Sequence, residues 1–203
     1  HLLETYDKKS EYIAYGATNH TNPNPDTLVR YNLEQFKYSL VLARLEPENN
    51  IETIIEGYVK SKTDNPLIIF GGLNDYGLKL KEKYKNEFRI KFVGPNYNQE
   101  ELNNLRHYSR YYFHGHSVGG TNPSLLEAMA SNALIIANNN IFNQSILREE
   151  AIYFDSDQQI TNIIDEDSYF SLKAKFTGKN REKIESEFNC DQKQITDQLP
   201  IIG

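Results

Sequence analysis

Cysteine is nearly missing from this chain. Cys190 is the single one in 203 residues, so no disulfide can close within it, and the composition suits a reducing compartment. Long apolar runs are missing too: no stretch approaches the roughly 18 residues that cross a bilayer, and no signal-peptide pattern is seen. Basic residues are in the minority, 22 against 28 acidic, for a net charge of -6. Without a broad cationic field the chain is not expected to gather nucleic acid, and any anion must be held by a local site. Sequence repeats and long low-complexity tracts are also absent. What is present, 38% hydrophobic and 12% aromatic residues, suffices for the core of one large domain or of one domain with an appendage. The opening residues His1, Leu2, Leu3 and Glu4 have the character of a helix interior, without an initiator methionine. The chain reads as a piece of something longer.

Residues 1–10 look like the end of a helix and residues 11–15 like a short strand stopped by Gly16. The composition from Ala17 to Asp26 is rich in Asn, Thr and Pro and predicts a linker, followed by a short polar helix over 28–35. A domain boundary is expected here, with residues 1–16, 17–37 and 38–203 as three units. From Tyr38 onward, apolar runs and helical periodicity alternate. Strands are predicted at 38–43, 67–70, 90–93, 111–113, 133–137 and 152–154. Helices are predicted at 51–61, 75–86, 99–107, from Pro123, at 157–164, and over most of 169–195. Near-continuous apolar strands in β-α alternation predict a Rossmann-like parallel sheet with helices on both faces. Such sheets bind ligands at the C-terminal ends of their strands. Arg44, Gly71 with Gly72, Gly94 with Pro95, and the loop 114–122 all fall on that edge.

The last of these loops dominates. An aromatic run, Tyr111 to Phe113, leads into His114, Gly115, His116, Ser117, Val118, Gly119, Gly120 and Thr121. Asn122 then suits a helix cap and Pro123 the first helical position. Strand, glycine loop and helix N-terminus together make an anion site, because loop amides and the helix dipole converge there. Gly119 and Gly120 leave the backbone open to a phosphate. Glu127, on the helix, would be repelled by a phosphate and is better matched to a hydroxyl pair.

These residues resemble the C-terminal half of family 4 retaining glycosyltransferases, and within that family the bacterial rhamnosyltransferase-like branch. The resemblance is carried by Arg44-Leu-Glu-Pro-Glu-Asn-Asn-Ile, Gly71-Gly72, Phe92-Val93-Gly94 and Gly-Gly-Thr-Asn-Pro-Ser-Leu-Leu-Glu-Ala-Met ending at Met129, and spans about residues 11–195. It implies one half of a two-domain GT-B enzyme: the domain that holds a nucleotide-sugar, preceded by the tail of an acceptor-binding domain and a linker. It implies that Arg44 holds the donor diphosphate; the lysine expected five residues on is Asn49 here. Glu127 matches the second glutamate of a Glu-x7-Glu motif and implies a ribose contact, whereas the first glutamate position is Gly119. That loss is compatible with a 6-deoxy sugar, and dTDP-rhamnose is the candidate donor. The implied site has Arg44, His116 and Glu127 as its reactive groups, with Asn49, Gly71, Gly72, Pro95, Tyr97, Gly119, Gly120, Thr121 and Asn122 binding the donor. The loop 94–97 would contact the base.

The resemblance further implies transfer to a glycan or lipid-linked glycan of a bacterial surface polysaccharide. Neither metal nor cofactor is required, and this piece alone should transfer nothing. The location implied is the cytoplasm, with peripheral attachment of the full-length enzyme to the inner membrane face. Two alternatives stay open, a nucleotide-sugar epimerase of the same architecture and a non-catalytic nucleotide-binding module. His114 and His116 invite a metal reading, but no third ligand accompanies them. The sequence Asp155-Ser156-Asp157 resembles a metal motif but precedes a helix, where capping is the simpler role. The basic run Lys79 to Lys91 reads as a solvated helix face, with weak attraction to an anionic membrane as the sharper option.

Overall fold

The computed structural model describes residues 15–189 other than Thr121. The sequence readings for residues 1–14, for Thr121 and for 190–195 therefore lie outside the described residues. Six strands form one parallel sheet in the order β3-β2-β1-β4-β5-β6. They are β1 (Ser39–Leu42), β2 (Leu67–Phe70), β3 (Ile90–Gly94), β4 (Tyr111–His114), β5 (Ile135–Asn138) and β6 (Ile152–Phe154). The five strands other than β3 each have at most one polar residue because both faces of a parallel sheet are covered; β1, β2 and β4 are buried throughout. The edge strand β3 instead alternates exposed and half-buried residues. The chain leaves β3 at one edge and returns to the middle, so β1 and β4 are neighbours with connections running opposite ways. That reversal opens a crevice between the two loops at their C-terminal ends.

The covering helices are α1 (Ile51–Lys60), α2 (Asp75–Lys83), α3 (Gln99–Tyr108), α4 (Pro123–Ala130), α5 (Ile141–Leu147), α6 (Asp157–Glu166) and α7 (Lys173–Glu187). Two cores result, one on each face of the sheet. One joins Leu40, Tyr112 and Ile135 to Leu105, Leu126 and Met129. The other joins Val41, Ile69 and Phe113 to Ile54, Ile55 and Ile160. Asparagine side chains cap α2, α3, α4 and α5 by accepting N–H groups of the first turn. An Asn-rich composition therefore serves helix starts as well as surface.

Several boundaries differ from the sequence expectation. α2 ends at Lys83, where Tyr84 leaves helical geometry, rather than at Asn86. The fifth strand begins at Ile135 because Ser131 and Asn132 close α4 immediately before it, Asn132 with positive φ. Helix α5 was not anticipated: three asparagines, Asn138 to Asn140, mask a cap in which Asn140 accepts from both Phe142 and Asn143 amides. The expected helix at 28–35 is instead a 3-10 helix, Pro25–Tyr31, stopped by Asn32 in the left-handed region. Its surroundings are pinned to the sheet-covering helices. His20 Nε2 and the Asn24 amide both meet Asn104 Oδ1, at 2.9 and 2.8 Å, and the Ala17 amide donates to the Phe188 carbonyl at 2.9 Å. The tail is a 3-10 turn, Ser168–Leu172, and then α7.

Candidate functional site

The crevice between β1 and β4 is where the expected site residues come together. Arg44 follows β1 and is exposed at the crevice mouth. A cleft of about 530 Å³ is lined by Arg44, Glu48, Asn49, His116, Val118, Gly119, Gly120, Asn122 and Glu127. A second, of about 280 Å³, is lined by Arg44, Gly71, Gly72, Pro95, Asn96, Tyr97, Arg106 and Glu127. Arg44, Ser124 and Glu127 border both, so the two are compartments of one groove along the C-terminal edge of β1, β2 and β4. Every described member of the expected set lies on it. A polar cavity of about 370 Å³ at the opposite edge is lined by Lys62, Arg110, Asp165 and Asp167, with Arg110 paired to Asp167.

The loop after β1 is locked to the loop after β4. Asn50 Nδ2 donates to the Gly115 carbonyl at 2.8 Å, and the Ser117 amide and hydroxyl donate to the Glu48 carbonyl at 3.0 and 2.8 Å. A Cβ on Gly115 would lie 2.1 Å from the Asn49 carbonyl oxygen, so only glycine lets the two loops meet this closely. Asn49, expected to take part in ligand binding, is buried, and its Nδ2 donates to the Arg44 carbonyl at 2.8 Å. It holds the Arg44 loop in shape. Gly71 is likewise required by packing, since a Cβ there would lie 2.3 Å from the Ala43 carbonyl. Gly72 faces open space.

The glycine loop enters α4 through Asn122, whose Oδ1 accepts from the Ser124 amide at 2.9 Å. One helix-end donor is thereby engaged internally, and Pro123 has none. The amides of Gly119 and Gly120 make no hydrogen bond among the described residues. Gly119 has φ +112, a region L side chains rarely adopt. The position where the resemblance expects a glutamate therefore has a backbone that disfavours one.

His114 and His116 stack face to face, ring centroids 4.3 Å apart at 14°, with Tyr112 stacked beyond His114. His114 is buried, with no partner among the described residues for either ring nitrogen. Burial first, then His116 and Arg106, hold its imidazole well below the usual histidine range. Burial, reinforced by the Arg44 charge and opposed by Glu48, pushes His116 down to about 4. Both rings are neutral at pH 7. The His116 carbonyl accepts from Asn140 and Asn143 Nδ2 at 2.9 and 3.0 Å, so the unanticipated α5 positions this loop.

Arg106 is the site residue that sequence reasoning missed. It sits near the end of α3, with its side chain 2% exposed, and Nη2 lies 2.5 Å from Glu127 Oε2 and 3.3 Å from Ser124 Oγ. Ser124 Oγ is in turn 2.9 Å from the Tyr112 hydroxyl. A signal did exist: Arg106 falls beside Leu102 and Leu105 on the apolar side of α3, where an arginine needs a partner. Among the described residues no group of three His, Cys, Asp or Glu side chains could hold a metal ion. In the Asp-Ser-Asp sequence the cap is Ser156, while Asp155 pairs with Asn139 and Asp157 with Lys60. Within the basic run, Lys83 meets Glu52 and Glu56, Lys85 meets Glu82, and Arg89 meets Glu87.

This fold and groove define a Rossmann-like half of the GT-B class of glycosyltransferases, with its ligand crevice at the strand-order reversal. Residues 29–166 match the family described as Glycosyl transferases group 1, and the chain belongs to that family. No curated protein matches the chain in sequence. Among solved structures it is similar to a glycosyltransferase from Rickettsia africae (TM-score 0.77, 16% identity), covering 97% of this chain and 59% of that one. Anabaena Alr3699/HepE in complex with UDP and glucose superposes with TM-score 0.73 at 16% identity, over 86% of this chain and 52% of that one. The C-terminal domain of a glycosyl transferase group 1 family protein (LpcC) from Francisella tularensis gives TM-score 0.68 at 18% identity, over 87% of this chain and 96% of that domain. The chain thus spans little more than half the length of the first two. No helix among the described residues is long and apolar enough to cross a membrane.

Proposed function

We propose that this chain is the donor-binding half of a glycosyltransferase and that the groove holds a nucleoside-diphosphate sugar. The observation that carries the reading is the convergence of an exposed arginine, two unengaged glycine amides and a glutamate on one groove. The diphosphate lies against Arg44, the Gly119 and Gly120 amides and the N-terminal end of α4, each of which favours negative charge. The nucleotide's pentose meets Glu127, through the 3′-hydroxyl alone in dTDP and through both hydroxyls in a ribonucleotide, and the base lies between Gly72 and the Pro95–Tyr97 segment, where Tyr97 is 91% exposed and Asn96 is pinned to Glu101 at 2.7 Å. The sugar then occupies the end of the groove near His116, Val118 and Gly119.

Transfer requires the bond from the sugar's anomeric carbon to the diphosphate oxygen to break. Donors already aimed at the diphosphate stabilise the charge that develops on the leaving group, without reorganisation at the moment of reaction. The proposed path is retaining, with the departing phosphate accepting the acceptor hydroxyl's proton. Neither a metal nor a cofactor enters this scheme. The exposed Val118 and the absent carboxylate at Gly119 favour a sugar with a methyl group in place of a hydroxymethyl, and dTDP-rhamnose is the proposed donor. The proposed acceptor is a glycan or lipid-linked glycan of a bacterial surface polysaccharide, supplied in the remainder of the enzyme.

Titration calorimetry with dTDP, UDP, GDP and ADP tests this, repeated on Arg44→Ala. One of the four should bind, and Arg44→Ala should weaken it by about tenfold or more, the loss of a charged hydrogen bond. A preference for dTDP supports the rhamnose donor; a preference for UDP or GDP discards rhamnose and keeps the transferase. No binding of any of them at millimolar concentration would sink the nucleotide reading for this chain.

A further inference from the structure

We infer that Arg106 is a positioning residue that holds Glu127 in the one orientation from which its carboxylate can take the hydroxyls of the nucleotide's pentose, the 3′-hydroxyl alone where that pentose is a deoxyribose. The inference rests on the ribose role proposed for Glu127. Glu127 projects from α4 into the groove, and a glutamate there has three side-chain torsions free to rotate. A ribose that meets it in varied orientations would gain little from it, because each bound hydroxyl needs an acceptor already in place.

The contacts of Arg106 supply that fixation from below. Its guanidinium carbon lies 6.0 Å from the centre of the Tyr112 ring, and Nη1 donates to Asn103 Oδ1 at 2.9 Å, so the fork is held from two sides. The other terminal nitrogen, Nη2, reaches Glu127 Oε2 at 2.5 Å and Ser124 Oγ at 3.3 Å, while Nε is buried without a partner among the described residues. Ser124, half-buried at the groove wall, is itself bound to the Tyr112 hydroxyl, so the buried arginine and tyrosine and this serine form one connected frame. The side-chain exposures are unequal, 2% for Arg106 against 31% for Glu127. The pair is therefore not symmetric: the cation is sealed inside and the carboxylate stands at the boundary with the groove. Only Oε2 is engaged, and Oε1 has no partner among the described residues.

Stability alone does not call for this arrangement. Replacing a buried ion pair with apolar side chains of similar volume is often neutral or favourable, so a sealed guanidinium aimed at a groove carboxylate points to geometry as its role. A lysine would keep the charge but not the planar fork, and could not grip Asn103 and Glu127 together in the same way.

The test uses whichever of dTDP, UDP, GDP and ADP the chain binds most tightly, together with the 2′,3′-dideoxy counterpart of that nucleotide. Both are titrated into the unaltered chain, Glu127→Gln, Arg106→Met and Arg106→Lys, with circular dichroism melts alongside. The unaltered chain should prefer the hydroxyl-bearing nucleotide by about tenfold. In Arg106→Met that preference should fall to within about twofold while the dideoxy nucleotide binds as before. Arg106→Lys should retain part of the preference. If Arg106→Met weakens both nucleotides equally, or keeps the full preference, the positioning role is wrong. If Arg106→Met does not fold, Arg106→Lys decides by the same comparison. If the unaltered chain shows no preference at all, the ribose role of Glu127 fails, and the inference with it; that outcome is visible before any variant is made.

Discussion

The stacked histidines make the chain acid-sensitive in a way that can be worked out from the structure. The perturbation is a fall in pH from 7 to 5. An unfolded histidine titrates near 6.5, whereas folded His116 is pushed down to about 4, first by burial and then by Arg44. His107 is also lowered to about 4, by burial and then by Lys173 and His20, and His114 is held well below 6.5. A base depressed by folding binds fewer protons folded than unfolded. Its favourable contribution is therefore whole above about pH 6.5 and drains away as pH falls towards the folded value. Each group contributes at most about 1.4 kcal/mol per pH unit. For His116 that amounts to about 1.5 kcal/mol between pH 6.5 and 5; His114 acts in the same direction, and His107 adds a smaller, solvent-screened share. Together these are a sizeable part of the roughly 5–15 kcal/mol that holds such a domain together. The carboxylates lowered by folding, Glu87, Glu150 and Asp157, keep their contributions until pH falls into the ordinary carboxylate range at about 4 and lose them from there down. They act beneath the histidine window. Urea denaturation at pH 7, 6 and 5 reads the effect directly. His114→Phe keeps a ring in the stack, sacrifices no hydrogen bond among the described residues, and should flatten the pH dependence by about one proton. Equal stability at pH 7 and 5, or a His114→Phe profile parallel to the unaltered one, would refute the reasoning.

Two further outcomes follow from the groove's construction. Glu127→Ala should cost about 3 kcal/mol of stability by urea denaturation, because it strands the sealed Arg106 charge. Arg106→Met should cost less, since Glu127 can turn to water, and the reverse order would contradict the unequal burial of the pair. Gly115→Ala should lose about 1–3 kcal/mol by forcing apart the loops after β1 and β4, and should weaken nucleotide binding in calorimetry along with it. Unchanged stability and affinity would mean that the close approach of Gly115 to Asn49 does not hold the Arg44 loop.

Much of this molecule is legible one element at a time. The strand cores at Leu40, Ile68 and Phe113 are short apolar runs, which a sheet covered on both faces demands. The start of α4 was readable from Asn122 and Pro123, because capping is local chemistry. Arg44, Gly72, His116 and Glu127 could be placed on one edge of the sheet because β-α alternation puts every strand's C-terminal end on the same side. Helix α5 was hidden since its cap lies in a row of three asparagines, any of which looks like loop. The stretch around His20 and Asn24 looks like a linker by composition, yet its polar side chains and amides meet Asn104, a contact across some eighty residues of chain.

The sequence by itself determined the alternation of elements, the edge on which ligands bind and the residue types available there, because these depend on periodicity and on neighbours within one turn or strand. Tertiary structure alone decided what those residues do to one another. It brought Arg106 from α3 under Glu127 on α4, since helix packing sets which side chains meet across twenty-one positions. It stacked His114 on His116, sealing the first from water and half-burying the second, and that burial, which no local pattern records, sets their protonation. It also turned Asn49 inward to hold the Arg44 loop, because the approach of Gly115 leaves that loop no other course.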